Sequence, residues 1–152
     1  MDASIRQASA QDAIDIADMH HRSRAQAFRG HIADEILDDR EALEQQWTTY
    51  FQAPDGRVAV AEIDGEIVGL AYGIPGERTE LRNLYLLEAA AGSGVAPKLL
   101  DAVIYPGEPA FLWVAEFNDR AQAFYTKQGF AFDGESKTHE GDNIITKRMV
   151  RD

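Results

Sequence analysis

Cysteine is absent from this chain of 152 residues. Its absence excludes disulfide bonds, thiolate nucleophiles and metal sites with cysteine ligands. Long apolar runs are also absent, since no stretch approaches the ~18 consecutive residues that a membrane-spanning helix needs. The first residues, MDASIRQAS, lack the basic region and apolar run of a signal peptide. We therefore expect a cytoplasmic protein without a membrane partner.

Positive charge is scarce. The chain has 15 Lys and Arg residues against 26 Asp and Glu residues, which gives a formal net charge of -11. Because nucleic-acid binding needs a basic face, we expect no nucleic-acid partner. An acidic protein attracts cationic small molecules such as amines, although acidity serves solubility equally well. An acidic groove for an amine would agree with the net charge.

Periodicity and turn signals predict one mixed α/β domain over residues 1–152. The first helix begins after Ser9 and the second near Ala33 or Arg40. A hairpin follows with its turn at Asp64-Gly65, and the remaining pattern is strand–helix–strand–helix–strand–strand. The predicted strands are 58–63, 67–74, 80–87, 111–114, 130–133 and 143–150, and the later helices are 96–104 and 119–128.

The segment 84–100 has the pattern of an anion site. A buried strand runs into Gly92-Ser93-Gly94, and a helix starts within the next few residues. The glycines allow a close backbone approach, and the first helical turn presents unpaired N–H groups at the positive end of the helix dipole. Pro97 is tolerated in that turn. The pattern indicates a pyrophosphate site, but it lacks the residues of a P-loop or of a Rossmann fingerprint.

A second informative segment runs from Asn118 to Phe130. Asn118 is a good helix N-cap, and the helix carries Ala121, Phe124 and Tyr125 on one face. Phe124 is best explained as a core residue. Asn118 and Tyr125 lie where a ligand bound at the glycine turn could extend.

Together these segments resemble the GNAT superfamily of acetyl-CoA-dependent N-acetyltransferases over nearly the whole chain. The family motif Gln/Arg-x-x-Gly-x-Gly/Ala corresponds to the run from Ala91 to Ala96, in which Gly94 and Ala96 match and Ala91 replaces the leading Gln or Arg. Every specified residue of the later motif Asn-x-Arg-Ala-x-x-Phe-Tyr-x-x-x-Gly-Phe is present, from Asn118 to Phe130. The resemblance implies a mixed, mostly antiparallel twisted sheet of six to seven strands with about four helices.

The resemblance also implies acetyl-CoA as the cofactor. The pantetheine arm would pair with the backbone of the strand before the turn, and the pyrophosphate would bind the turn itself. Lys98, Arg120 or Lys127 could meet the phosphates. The implied cofactor-binding residues are Leu84, Tyr85, Leu86, Ala91, Gly92, Ser93, Gly94, Val95, Ala96, Pro97, Lys98, Asn118, Ala121, Phe124 and Tyr125.

For catalysis, the resemblance implies that Tyr125 protonates the departing thiolate of coenzyme A. A backbone N–H on the splayed strand would stabilise the oxyanion, an effect worth up to ~4 kcal/mol. The acceptor ammonium must lose a proton before it attacks, and Glu80 is the candidate base, directly or through water. Glu62 and His20 are weaker candidates. The four histidines have no metal-site spacing, so we expect no metal.

The acceptor is expected to contact the first two helices and the polar loop 135–142. The run from Arg22 to Gly30 resembles an acceptor-side segment of family members that act on small amines, including polyamines, and Phe28 and Arg29 are its candidate contacts. We expect a small-molecule amine acceptor. A protein lysine or α-amine acceptor, and a non-catalytic acyl-CoA-binding module, stay open as alternatives. An exposed terminal strand also makes a homodimer possible.

Overall fold

A computed structural model describes residues 3–90 and 92–152. The predicted cofactor contact of Ala91 lies outside the described residues. The strands are β1 (Ser4–Gln7), β2 (Arg57–Ile63), β3 (Glu66–Ile74), β4 (Thr79–Leu86), β5 (Ala110–Ala115), β6 (Ala131–Thr138) and β7 (Ile145–Arg151). The helices are α1 (Ala13–Phe28), α2 (Asp34–Leu37), α3 (Arg40–Gln52), α4 (Val95–Val103) and α5 (Asp119–Lys127).

The strands form one seven-stranded sheet in the order β1-β2-β3-β4-β5-β7-β6. All neighbours are antiparallel except β4 and β5, which are parallel. One apolar cluster packs α4 against the sheet around Leu99 and Leu100, and a second packs α1 and α3 against the other face around Ile16 and Trp47. The predicted α/β fold, with its mostly antiparallel sheet, is confirmed.

The segment around Ile5, for which the sequence predicts no element, is a strand, β1, because its backbone pairs with β2 at the edge of the sheet. One predicted boundary is wrong. The predicted polar loop 135–142 is shorter, since β6 continues to Thr138 and Ser136 pairs with Lys147 beyond an irregularity in the ladder. Every residue of β6 is exposed, so its sequence carries none of the apolar alternation that predicts a strand.

Two glycines of β3 allow α4 to lie unusually close to the sheet. A Cβ added at Gly73 would lie 2.6 Å from the carbonyl oxygen of Val103, and one at Gly69 would lie 3.0 Å from Leu99 Cδ1. Any larger residue would therefore push the helix away. The close packing fixes the middle and the end of α4, at Leu99 and Val103, against β3.

Candidate active site

A cleft opens where β4 and β5 separate. The two strands pair only between Thr79–Leu81 and Ala110–Leu112. At that point Arg82 is an extra residue in β4, because Gly73 pairs with Leu81 and the preceding Tyr72 pairs with Asn83. Such a bulge bends a strand and increases its twist. β4 thus follows β3 and turns away from β5.

The edge of β4 that is turned away from β3 presents its backbone groups to the cleft. Leu87 N donates to Val68 O of β3 at 2.9 Å. Since hydrogen-bonded positions alternate along an antiparallel ladder, the N–H and C=O groups of Leu84 and Leu86 turn away from β3. Ser23 Oγ donates to Leu86 O at 3.1 Å, which shows that this edge is reached from α1. The edge can pair with an extended ligand in place of a strand.

The cleft has a volume of about 590 Å³ and receives residues from β4, β5, the end of α1, the glycine turn and α5. The predicted cofactor residues that line it are Leu84, Tyr85, Leu86, Gly92, Ala96, Asn118, Ala121, Phe124 and Tyr125. Ser93, Gly94, Val95, Pro97 and Lys98 do not line it and belong to the turn and the first turn of α4.

The glycine turn has the geometry of an anion site. Gly92 and Gly94 have φ of 79° and 80°, the left-handed region that glycine adopts without strain. Among the described residues, chain neighbours apart, no atom lies within 4 Å of a Cβ built at either glycine, so the turn is open on that side. Val95 and Ala96 start α4 and present N–H groups that have no partner within the helix. Ser93 does not contribute in this way, because its N–H and hydroxyl both donate to Ala90 O, at 3.2 and 2.5 Å.

Tyr125 is buried in the cleft wall, with 9% of its surface exposed. Burial, and to a smaller extent the neighbouring Tyr85, raises the pKa of Tyr125 well above its ordinary range. The phenol is therefore a proton donor, not a phenolate, near neutral pH. Phe124 and Phe130 hold its ring by edge contacts, with centroids at 5.4 and 5.9 Å.

Asn118 starts α5 as predicted. Its Oδ1 accepts a hydrogen bond from Ala121 N at 3.1 Å. This bond satisfies one of the free N–H groups of the helix and leaves the amide nitrogen for a ligand in the cleft. The small side chain of Ala121 lies in the cleft wall one turn further on.

The family model described as the acetyltransferase (GNAT) family matches residues 17–130. The chain belongs to the GNAT family. An uncharacterised N-acetyltransferase of Mycobacterium tuberculosis is 32% identical to it over 133 residues, which cover 79% of this chain and 83% of the relative. The predicted family is confirmed, and the chain is an acetyl-CoA-dependent N-acetyltransferase.

Solved GNAT-like structures share the fold. The PaiA N-acetyltransferase of Thermoplasma acidophilum, in complex with coenzyme A, has a TM-score of 0.71 at 20% identity, covering 97% of this chain and 98% of that one. A ribosomal-protein-alanine N-acetyltransferase of Brucella melitensis has a TM-score of 0.71 at 22% identity, with coverages of 97% and 98%. A chimera of Vibrio cholerae spermidine N-acetyltransferase SpeG and hSSAT has 0.70 at 19%, with coverages of 99% and 95%.

Coenzyme A fits this GNAT cleft by its chemistry. The turn from Gly92 to Ala96 offers backbone N–H groups to a pyrophosphate, and the free edge of β4 offers hydrogen bonds to an amide-containing arm. The exposed guanidinium of Arg120 lines the cleft, while Lys98 is exposed at the start of α4. No helix of the described residues is both long and apolar enough to cross a membrane, and no group of three or more His, Asp or Glu within 3–90 and 92–152 could hold a metal.

The three carboxylate and imidazole candidates for the base lie away from the cleft wall. Glu80 pairs with Arg82 at 3.5 Å, and Glu62 pairs with Arg6. His20 Nδ1 accepts a hydrogen bond from Trp47 Nε1 at 3.0 Å, and burial lowers the pKa of His20 to about 3. His20 is therefore a neutral core residue whose acceptor nitrogen is occupied. The assignment of Glu80 stays a prediction, and a water molecule would have to connect it to the amine.

The two acceptor-side candidates are placed differently. Phe28 lines the cleft. Arg29 does not, because its guanidinium pairs with Asp34 at 2.9 Å and Asp38 at 3.0 Å and so holds α2 against the end of α1. The predicted acceptor contact of Arg29 gains no support from this position.

The sequence patterns gave no functional reason to select Phe117, His31 or Asn83, all of which line the cleft. Phe117 receives the edge of Phe28 at 5.5 Å and stacks on His31 at 3.8 Å between centroids. The only local signal for Phe117 is its position directly before the motif residue Asn118. Phe117 and the segment after α1 are about ninety residues apart in sequence, so no spacing rule connects them.

Proposed function

We propose that this GNAT enzyme acetylates the primary amine of a small molecule, and that the amine attacks directly in a ternary complex with acetyl-CoA. The observation that carries the proposal is the aromatic contact of Phe28 and His31 with Phe117. This contact connects the end of α1 with the segment after β5 and bridges the cleft. A bridged cavity suits a small acceptor better than an extended polypeptide.

Acetyl-CoA, when bound, supplies an acetyl group activated as a thioester and leaves as the thiol. The residues of the chain then have two tasks. They hold the cofactor so that its reactive end lies near the separation of β4 and β5, and they manage two protons: one leaves the attacking nitrogen and one is given to the departing sulfur.

Tyr125 is the proposed proton donor to the sulfur. Its position in the cleft wall supports this role, because a protonated phenol there can donate at the moment the thiolate forms. Solvent then reprotonates the phenol between turnovers. The N–H of Leu84 or Leu86, turned away from β3, is the proposed donor to the developing oxyanion.

A thiol-release assay tests the function. Purified protein with acetyl-CoA is offered simple amines, amino acids, polyamines, aminoglycosides and lysine-containing or N-terminally free peptides, and kcat/KM is measured for each. We expect at least one small-molecule class to exceed every peptide. Higher kcat/KM on peptides than on all small amines would overturn the proposal in favour of a protein acceptor.

Cofactor binding is measured in parallel as a control for the non-catalytic alternative. Acetyl-CoA is expected to raise the melting temperature, since a ligand that binds only the folded state stabilises it by mass action. A clear thermal shift without thiol release on any acceptor would indicate a binding module. No shift at millimolar acetyl-CoA would contradict cofactor binding by this protein.

A further inference from the structure

The imidazole of His31 is exposed and lines the cleft. The three candidates for the base that the sequence suggests, Glu80, Glu62 and His20, do not line it. Glu88 is the one carboxylate among the described residues of the cleft wall, and it follows β4 on the side of the glycine turn, where the cofactor is proposed to bind. Since imidazole exchanges protons readily near neutral pH, His31 is the group in this wall with the chemistry of a base.

The end of α1 carries this imidazole across the cleft. Ser23 contacts β4, because its Oγ donates to Leu86 O at 3.1 Å. Phe28 lies about 7.5 Å further along the axis of a regular helix and contacts Phe117, in the segment after β5. The end of the helix thus runs from one diverging strand to the other, over the gap where the thioester is proposed to lie. His31, three residues beyond Phe28, lies on the β5 side of that gap.

The ring of His31 is held by one of its faces. It stacks on Phe117 with 3.8 Å between centroids and 6° between ring planes. The two nitrogens lie in the ring plane, so the stack leaves both of them at the open edge. In the described parts of the chain, no side-chain hydrogen bond or ion pair engages either nitrogen, unlike Nδ1 of His20 and of His139. A neutral imidazole therefore offers one acceptor nitrogen to a ligand here.

The turn that carries His31 is also fixed on both sides. The backbone N–H of His31 donates to Phe28 O at 2.8 Å. Arg29, between these two residues, pairs with Asp34 and Asp38 and so ties the turn to α2. A group that takes part in chemistry must be held in a productive position, and these contacts supply that requirement.

The other charged groups of the cleft wall are Arg82, Arg120 and Glu88. Two cations against one carboxylate disfavour a further positive charge, so an ammonium bound in this cleft gives up its proton more readily. The proton then needs a nearby acceptor that can pass it to solvent. The exposed ring of His31 has that access.

We propose that His31 is the base that takes the proton from the acceptor amine. Its free ring nitrogen contacts the ammonium and accepts one proton, and the neutral amine that remains has the lone pair needed for attack. This assignment rests on the direct attack in a ternary complex proposed above. It holds for a small-molecule acceptor and for a peptide acceptor alike.

The protons balance over one turnover. The ammonium nitrogen loses two protons in all, and His31 passes the first of them to solvent before the attack. The second leaves for solvent once the N–C bond has formed. As the C–S bond breaks, Tyr125 protonates the sulfur, and solvent restores the phenol. One proton is released in sum.

Two variants separate this role from packing. His31→Gln has no group that accepts a proton near neutral pH, and His31→Phe keeps a ring on Phe117 but has no nitrogen. With the best acceptor of the thiol-release panel, both are expected to lower kcat about a hundredfold, the lower end of what general acid–base catalysis contributes. The KM of the acceptor and the dissociation constant of acetyl-CoA should change little. Wild-type kcat in His31→Phe would show a packing role and overturn the proposal.

The pH profile of kcat reports the groups that titrate in the complex. The wild type should lose activity on the acidic side as the base becomes protonated, and this limb should be absent from His31→Gln. Glu80→Gln is the competing variant. An acidic limb that persists in His31→Gln and is lost in Glu80→Gln would overturn the proposal in favour of Glu80.

Added imidazole tests the missing group directly. It is expected to raise kcat of His31→Ala severalfold after subtraction of the enzyme-free reaction, because it can occupy the vacated place. Tyr125→Phe is the matched control and should not respond, since its own ring fills the place of the lost phenol. Thermal unfolding and acetyl-CoA titration monitor the fold of each variant. A wild-type protein that releases no thiol with any acceptor would overturn the proposed function as well as this assignment.

Discussion

The two halves of the cleft offer different groups to a ligand. The half proposed for the cofactor offers backbone: a glycine turn at Gly92 and Gly94, the start of α4, and the open edge of β4. The half proposed for the acceptor offers side chains from separate parts of the chain, such as Phe28, His31 and Phe117. Backbone recognition requires a few small residues in a short run, whereas side-chain recognition can draw on any residues that the fold brings together.

This difference explains why only the cofactor half corresponds to a sequence motif. Glycine at a positive φ and a small residue at a close approach are constraints that adjacent positions must satisfy together. The acceptor half has no such local constraint. The comparison can be tested by perturbing Tyr125 between the two halves, then the buried His20 behind the cleft residue Tyr85, then the glycine turn of the cofactor half.

The largest effect is expected at the centre, for Tyr125→Phe. The substitution removes the proposed proton donor but keeps the ring and its contacts with Phe124 and Phe130. General acid catalysis contributes typically about 10²–10⁴-fold, so kcat should fall by a factor in that range. The dissociation constant for acetyl-CoA, measured by titration, should change little. Wild-type kcat in the variant would remove the role assigned to Tyr125.

A smaller effect is expected at His20, whose ring stacks on the cleft residue Tyr85 at 4.5 Å between centroids. The pKa of His20 in the folded protein is about 3, below its ordinary value of 6.5, because the ring is buried. The unfolded chain therefore binds one more proton between these values, and the stability that His20 provides above pH 6.5 is lost as the pH falls towards 3. The free energy of unfolding should decrease by up to about 1.4 kcal/mol for each pH unit in this window.

The variant His20→Gln isolates that contribution. Its side-chain oxygen can accept the Trp47 N–H but cannot titrate near these pH values. Denaturant unfolding between pH 6.5 and 4.5 should show a shallower loss than in the wild type. Asp12 and Glu108, whose arginine partners lower the pKa of each to about 2, titrate alike in both proteins and so do not alter the difference between the two slopes. Parallel slopes in both proteins would contradict the assignment to His20.

The smallest effect is expected at the glycine turn. Gly94→Ala places a methyl group in the open space where the pyrophosphate is proposed to approach. Loss of one hydrogen bond to a charged group would weaken acetyl-CoA binding about tenfold. Gly65→Ala is the matched control, because Gly65 has φ of 81° and equally open surroundings, but lies in the β2–β3 hairpin. Both variants should be destabilised, and only Gly94→Ala should bind acetyl-CoA more weakly.

Much of the fold could be predicted because its signals are local. The Asp64-Gly65 hairpin and the apolar stripe of α4 each follow from neighbouring residues, and the observed elements agree closely. The later part of β6 could not be predicted, since an exposed edge strand has no apolar alternation and depends on pairing with β7. The close approach of α4 to β3 could not be predicted either, because β4 and the glycine turn separate Gly69 and Gly73 from α4 in the sequence.

The sequence by itself determined the order of the elements from β2 to β7, the family and the cofactor, because the residues responsible are adjacent or regularly spaced. Only the tertiary structure decided which side chains meet in the cleft wall. A net charge of -11 agreed with an acidic groove, yet Glu88 is the one acidic residue among the described residues that line this cleft, which also receives Arg82 and Arg120. Net charge is a sum over the whole surface, whereas a ligand responds to the few groups within a Debye length of about 10 Å or less.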